Sequence, residues 1–163
     1  YLHVNESREG HVMKQIDFIQ NGTVIDHIKA GESFKVLEVL QMIEHISEGQ
    51  CKVMIGCNFD SGVISRKDII KISGGFLTQK EVNQVSLIAP RATVSIIRNS
   101  RIIDKYKLQV ESELHNIIAC RNPNCITNVE SMPTRFHTLS ADAGEFQCHY
   151  CEVIMEKEDL RFV

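Results

Sequence analysis

Apolar and polar residues alternate along KQIDFI (14–19), which predicts a β-strand with one buried face. Gly22 interrupts the run, and TVIDHI (23–28) resumes it. Phe34, Leu37, Leu40, Met42, Ile43 and Ile46 then recur at roughly helical spacing, closed by Gly49. KVMIGCNF (52–59) returns to strand character, Asp60-Ser61-Gly62 signals a turn, and SRKDIIKIS (65–73) predicts the next strand. Thr78-Gln-Lys-Glu81 is a capping box, with Leu77 placed to staple against Val82. The helix it opens runs through Val85 and Ile88 and must stop at Pro90, which lacks an amide donor and restricts Ala89. ATVSIIRN (92–99) and RIIDKYKLQV (101–110) read as two strands around an Asn99-Ser100 turn.

This order, β-α-β-β-α-β with an added strand, predicts an α+β fold: a ferredoxin-like antiparallel sheet with two helices on one face. Three segments are expected: a flexible lead over 1–12, a domain over 13–107 and a small all-β metal-binding domain over 108–163. Met13 reads as a possible native start, and the charged terminal stretch EKEDLRFV as a frayed end.

Composition narrows the function. The net charge is −3, so no basic excess is present to neutralise a run of phosphates. No apolar run approaches a membrane span and no charged-then-apolar leader opens the chain, so a cytoplasmic protein is expected.

The six cysteines carry the sharpest chemistry. Cys51 and Cys57 lie in a strand-like apolar stretch and read as core residues. The other four form Cys120-x4-Cys125, a 22-residue spacer and Cys148-x2-Cys151. Each close pair offers two thiolates on one turn, and two such turns complete a tetrahedron around one ion. The RNPN turn between the first pair is rich in turn formers. Four thiolates leave no open position for water, so the site should be structural; the spacing by itself suits zinc or iron. His149, between two of these cysteines, reads as a solvated knuckle residue. The metal would also supply the stability that a stretch so poor in apolar periodicity lacks.

Gly22-Thr-Val-Ile-Asp26-His27, Ser65-Arg-Lys67-Asp-Ile-Ile-Lys71-Ile and Ala89-Pro-Arg-Ala-Thr93-Val, followed by the two cysteine pairs in this order, resemble the regulatory chain of aspartate carbamoyltransferase. The resemblance covers about residues 14–155. It implies a non-catalytic subunit with one structural zinc per chain and an allosteric nucleotide site in the first domain. CTP, helped in some members by UTP, inhibits, and ATP activates. It also implies regulatory homodimers whose zinc domain docks on the catalytic chain of a pyrimidine-biosynthesis enzyme.

Carried over residue by residue, the resemblance assigns Asp26 and His27 to the ribose and phosphate region. Lys67, Lys71, Lys105 and Lys107 fall with the ribose and phosphates. Ile16, Asp17, Phe18 and Ile19 align with the segment lining the base, and Ile97 and Ile102 would flank the ring. Read alone, Asp26-His27 is a turn pair at a strand end, and each lysine pair is a solvated sheet face. Their joint occurrence with the cysteine pattern favours a nucleotide site. Asn122 and Asn124, in the first knuckle, either contact a partner chain or satisfy the knuckle's own backbone. A zinc-ribbon nucleic-acid binder is the alternative, but the chain has no Trp, three Tyr and a negative charge. An enzyme with a cysteine or histidine nucleophile is disfavoured, because no Cys–His–acid pattern stands out.

Overall fold

A computed structural model describes residues 19–130 and 132–163. The predicted strand over 14–19 lies outside it except for Ile19, as do the lead and Met13. The first sheet contains β1 (Gly22–Lys29), β2 (Lys52–Ser61), β3 (Ser65–Ser73), β4 (Thr93–Arg98) and β5 (Arg101–Lys107). Its strand order is β2-β3-β1-β4-β5, and every pairing is antiparallel. The first four strands follow the ferredoxin-like order, with β5 added beside β4.

Helices α1 (Ser33–Val39), α2 (Met42–Ser47) and α3 (Gln79–Ile88) accompany this sheet. Val36, Leu37, Leu40 and Met42 join Val85, Ile88 and Ala89 over Ile25, Ile28, Ile70, Ile72 and Val94 in one core. Alternation explains the sheet's contribution: Ile25, Ile70 and Val94 are cross-strand neighbours, all on one face and fully buried.

The single helix expected across Phe34–Ile46 is two helices. The chain bends at Gln41, whose φ is +52°. Phe34 is 65 % exposed, so the buried stripe begins at Val36 and not at Phe34. β2 continues to Ser61, with Asp60 opposite Arg66 and Ser61 opposite Ser65, so the turn spans residues 62–64 and shares only Gly62 with the expected Asp60-Ser61-Gly62. Register slips between Gly56 and Phe59, where Asn58 has φ +63°. This bulge turns Cys57 outward; it is exposed, contrary to the core role expected of it, whereas Cys51 is partly buried against the core.

The β4–β5 connection is Asn99-Ser100 as expected, with φ values of +49° and +61°. Positive φ at both positions is what a twist-matched two-residue hairpin requires. β5 ends at Lys107, short of the expected Val110. Gly22 is required sterically: a Cβ there would lie 2.0 Å from the Ile72 carbonyl oxygen.

The capping box of α3 forms as its spacing predicts. The Glu81 amide donates to Thr78 Oγ1 at 3.3 Å, and the Thr78 amide donates to Glu81 Oε2 at 2.6 Å. Thr78→Ala should destabilise the chain by about 1 kcal/mol, read as a lower denaturant midpoint at unchanged slope.

The second sheet has the order β6-β7-β8-β9: β6 (Glu113–His115), β7 (Arg135–Ser140), β8 (Glu145–Cys148) and β9 (Ile154–Glu156). A one-turn helix, α4 (Ile126–Val129), follows the first cysteine pair. Leu114, Ile117, Ile118, Phe136, Phe146 and Met155 form its small core, into which Leu87 of α3 also packs.

The terminal stretch is anchored, not frayed. Ile118 and Phe162 form an antiparallel bridge, and the Ala119 amide donates to the Arg161 carbonyl at 2.8 Å. Leu160 and Phe162 pack against both cores. Lys157 Nζ meets Glu32 Oε1 at 2.6 Å, while Lys35 Nζ donates to the Lys157 carbonyl at 3.0 Å. Among the described residues no helix is long and apolar enough to cross a membrane.

Candidate functional site

The two cysteine pairs converge. The sulfurs of Cys120, Cys125, Cys148 and Cys151 all lie within 4.8 Å of one another. Cys120 Sγ is 3.5 Å from Cys151 Sγ, and Cys125 Sγ is 3.8 Å from Cys148 Sγ. Thiolates sharing one tetrahedral ion at about 2.3 Å sit roughly 3.8 Å apart, close to the two shortest sulfur pairs here, so the donor set suits one metal ion. All six cysteines are free, and no disulfide competes for these sulfurs.

Each knuckle supplies backbone donors to its sulfurs. The Asn122 amide donates to Cys120, the Tyr150 and Cys151 amides to Cys148, and the Val153 amide to Cys151. Burial nevertheless pushes the Cys120 and Cys148 thiols up, and neighbouring sulfurs add to the rise. Four thiolates crowded here need a cation to hold them deprotonated.

The surrounding residues were mostly illegible in the sequence. Asn128 Nδ2 donates to the carbonyls of Cys120 and Asn122, both at 2.8 Å, tying α4 to the first knuckle. Thr127 Oγ1 lies 3.2 Å from Cys125 Sγ. Arg121 pairs with Asp159, joining that knuckle to the terminal stretch. Asn122 Oδ1 accepts from the Asn124 amide at 3.0 Å, so Asn122 serves the knuckle's own turn. The signal that could have found Asn128 was its position three residues after Cys125, on the turn that carries the ligand.

The second candidate site is the sheet face opposite the helices. Three consecutive rows cross β1, β4 and β5. Gly22, Ile97 and Ile102 make the first; Val24, Ser95 and Lys105 the second; Asp26, Thr93 and Lys107 the third. Lys71 of β3 extends the second row beyond Val24. An apolar end with Ile97 and Ile102 therefore grades into a basic end with Lys71, Lys105 and Lys107. Lys71 and Lys105 stand three strand spacings apart, about 14 Å, with the smaller Val24 and Ser95 between them.

Ile19 is buried beneath the start of β1. Ile16, Asp17 and Phe18 lie outside the described residues.

Lys67 does not stand clear of its neighbours. Its ammonium lies 2.9 and 3.0 Å from the two oxygens of Asp26. Burial pushes the Asp26 carboxyl up, but the Lys67 ammonium and the His27 amide, at 2.7 Å, outweigh it and hold the carboxyl below its usual range. His27 keeps its ring beside Asp26, with Nδ1 3.6 Å from Oδ2. It sits at φ +62° where β1 changes register, and its ring lines a cavity of about 630 Å³ between the two modules, beside Lys29, Ser65, Arg91 and Lys157. Its Nδ1 is buried without a hydrogen-bond partner. The His27 ring thus adjoins both the Asp26 carboxylate and this cavity.

Comparison with known proteins gives the frame for both sites. The family model described as aspartate carbamoyltransferase regulatory chain, allosteric domain, matches residues 14–109. The metal binding domain of the same regulatory chain matches residues 112–161. The aspartate carbamoyltransferase regulatory chain of Pyrococcus horikoshii is 43 % identical over 146 residues, covering 90 % of this chain and 95 % of that one. That of Methanothermobacter thermautotrophicus is 42 % identical, covering 87 % and 89 %. That of Bacteroides thetaiotaomicron is 39 % identical, covering 90 % and 93 %.

Proposed function

Since the chain belongs to the family of aspartate carbamoyltransferase regulatory chains, we propose that it binds nucleoside triphosphates on the first sheet and passes their effect to a catalytic chain through a zinc-filled second module. Members of this family are regulatory subunits and not the catalytic ones, and nothing in the four-thiolate centre leaves a position open for chemistry. CTP is the inhibitor, helped by UTP, and ATP the activator. The chain pairs with a second regulatory chain, and it works in the cytoplasm.

The observation that carries this reading is the gradient across the sheet face. Ile97 and Ile102 flank the base, and Ile16, Asp17, Phe18 and Ile19 belong to the segment that lines it. Lys71, Lys105 and Lys107 meet the phosphates, which carry about three to four negative charges. Lys67 is delivered to the ligand through its pairing with Asp26. His27 reaches the phosphate end from the cavity side. Zinc is the ion of choice because four thiolates in a closed tetrahedron suit its lack of geometric preference and leave it redox-silent.

Regulation then needs only that a nucleotide bind one quaternary state better than another, with the module-to-module packing at Leu87, Leu160 and Phe162 as the element that differs. Thermal unfolding of the zinc-loaded chain with CTP, ATP, UTP and GTP in turn tests the site. A ligand at a hundred times its dissociation constant stabilises by about 2.7 kcal/mol, which should raise the midpoint by several degrees. CTP and ATP should raise it, and Lys71→Ala with Lys105→Ala should abolish the rise. No shift with any nucleotide in a folded sample would overturn the nucleotide site.

A further inference from the structure

The outer face of β6 and β7, beside the second knuckle, carries a cluster that the regulatory reading leaves unused: Glu113, His115, Arg135, His137 and His149. His137 Nε2 and His149 Nδ1 are 3.1 Å apart. Their rings meet edge to face with centroids 5.3 Å apart, and Tyr150 walls the other side of His149 at 5.2 Å. A shared proton between two neutral imidazoles would account for this distance. So would a shared cation. Two nitrogens bound to one ion at about 2.0–2.1 Å stand roughly 2.9 Å apart at a right angle and roughly 3.4 Å apart in a tetrahedron. The observed spacing falls between those limits.

A carboxylate stands behind His137: its Nδ1 lies 3.6 Å from Glu113 Oε1, an ion-pair contact longer than a hydrogen bond, on the side where a metal-bound histidine takes an orienting carboxylate. Glu113 is fixed in turn: Arg135 Nη2 donates to both its oxygens, each at 2.9 Å. The register explains why these groups meet. Glu113 stands directly opposite His137 across β6 and β7, and the His149 amide donates to the Arg135 carbonyl at 2.9 Å, which sets the second knuckle against β7. His115 Nε2 lies 3.3 Å from the other oxygen of Glu113, so the same carboxylate holds it away from the pair.

We propose that His137 and His149 form a second metal site, distinct from the four cysteines, for a borderline divalent ion such as zinc, nickel or copper. Imidazole nitrogens suit these ions, and water completes the coordination because the pair is exposed. Glu113 is the positioning residue behind His137. An ion here clamps β7 to the Cys148–Cys151 knuckle, since His149 lies between those two cysteines.

The test uses the full chain, first loaded with one zinc, and titrates it with nickel(II) by calorimetry and by NMR of the histidine rings. One additional nickel per chain should bind, with the His137 and His149 resonances broadened selectively. His137→Gln should weaken nickel binding at least tenfold with the zinc content unchanged at one per chain. Glu113→Gln should weaken it about tenfold at unchanged stoichiometry, as loss of an orienting carboxylate does. His115→Gln should leave it unaltered. Absence of extra nickel uptake by the wild-type chain, or equal uptake by His137→Gln, would overturn the site.

Discussion

Cys148→Ala is expected to release the metal ion and unfold the second module while the first sheet stays folded. Cys148 ends β8 and is 1 % exposed, so the substitution removes a buried donor and leaves three sulfurs to hold the ion. The module's own core is six large apolar side chains and one borrowed from α3. A structural zinc ion contributes on the order of 10–16 kcal/mol to the folding of small metal domains, far more than such a core can replace. Metal content and amide dispersion read the result together. The variant should hold less than one ion per chain, and resonances of β6 to β9 should collapse toward random-coil positions. Assembly with catalytic chains, followed by gel filtration, should fail. A variant that keeps one ion and a dispersed second module would show that three thiolates suffice.

The second large effect belongs to a residue that no motif reading singled out for a role. Asp68 lies on β3, fully buried, and its carboxylate gathers two loops. Oδ2 accepts from the Gly31 amide at 2.9 Å, from the Ser33 amide at 3.4 Å and from Ser33 Oγ at 2.7 Å; Oδ1 accepts from the Asn58 amide at 2.8 Å. It therefore pins the entry to α1 and the bulge of β2 onto the centre of the sheet. Burial pushes the carboxyl up, but these four donors outweigh it and hold the group below its ordinary range. Asp68→Ala strands several buried donors, and hydrogen bonds to a charged group contribute about 1.5–3 kcal/mol each, though not additively. A loss of at least about 3 kcal/mol is expected, or roughly 6–12 °C in the unfolding midpoint.

The pH dependence has a definite sign. The folded-state pKa is depressed, so the contribution of Asp68 is fully present above the unfolded value of about 3.9 and is lost as pH falls through the folded value. The stability gap between wild type and Asp68→Asn should be flat from neutral pH to about 5 and should narrow below about 4. A gap that persists unchanged at the acid end would show that the carboxylate's charge is not what holds the loops.

What could be read from the chain by itself was local or strictly patterned. The capping box acts within four residues, the Asn99-Ser100 turn within two, and IKIS at the end of SRKDIIKIS shows the apolar–polar alternation of a strand. The cysteine pairs were legible because thiolate coordination needs two donors on one turn, a spacing visible in one dimension. The strand order followed from these elements, because few arrangements of that sequence of strands and helices bury both helices on one antiparallel face.

Tertiary structure decided the rest, where the controlling partners are far apart in sequence. α1 presents Val36 and Leu37 to the core and leaves Phe34 outside, and the chain then bends at Gln41. The bulge at Cys57-Asn58 answers to Asp68, ten residues on, and so a cysteine in an apolar run became exposed. His27 lines the cavity between the modules at a point where β1 changes register between Ile25 and Ile28 and its own φ is +62°. The terminal stretch reads as charged and free, yet its backbone completes a bridge to Ile118, and Leu160 and Phe162 seal the junction of both cores. Periodicity reports which face of an element is apolar; only the packed chain determines which of those faces finds a partner.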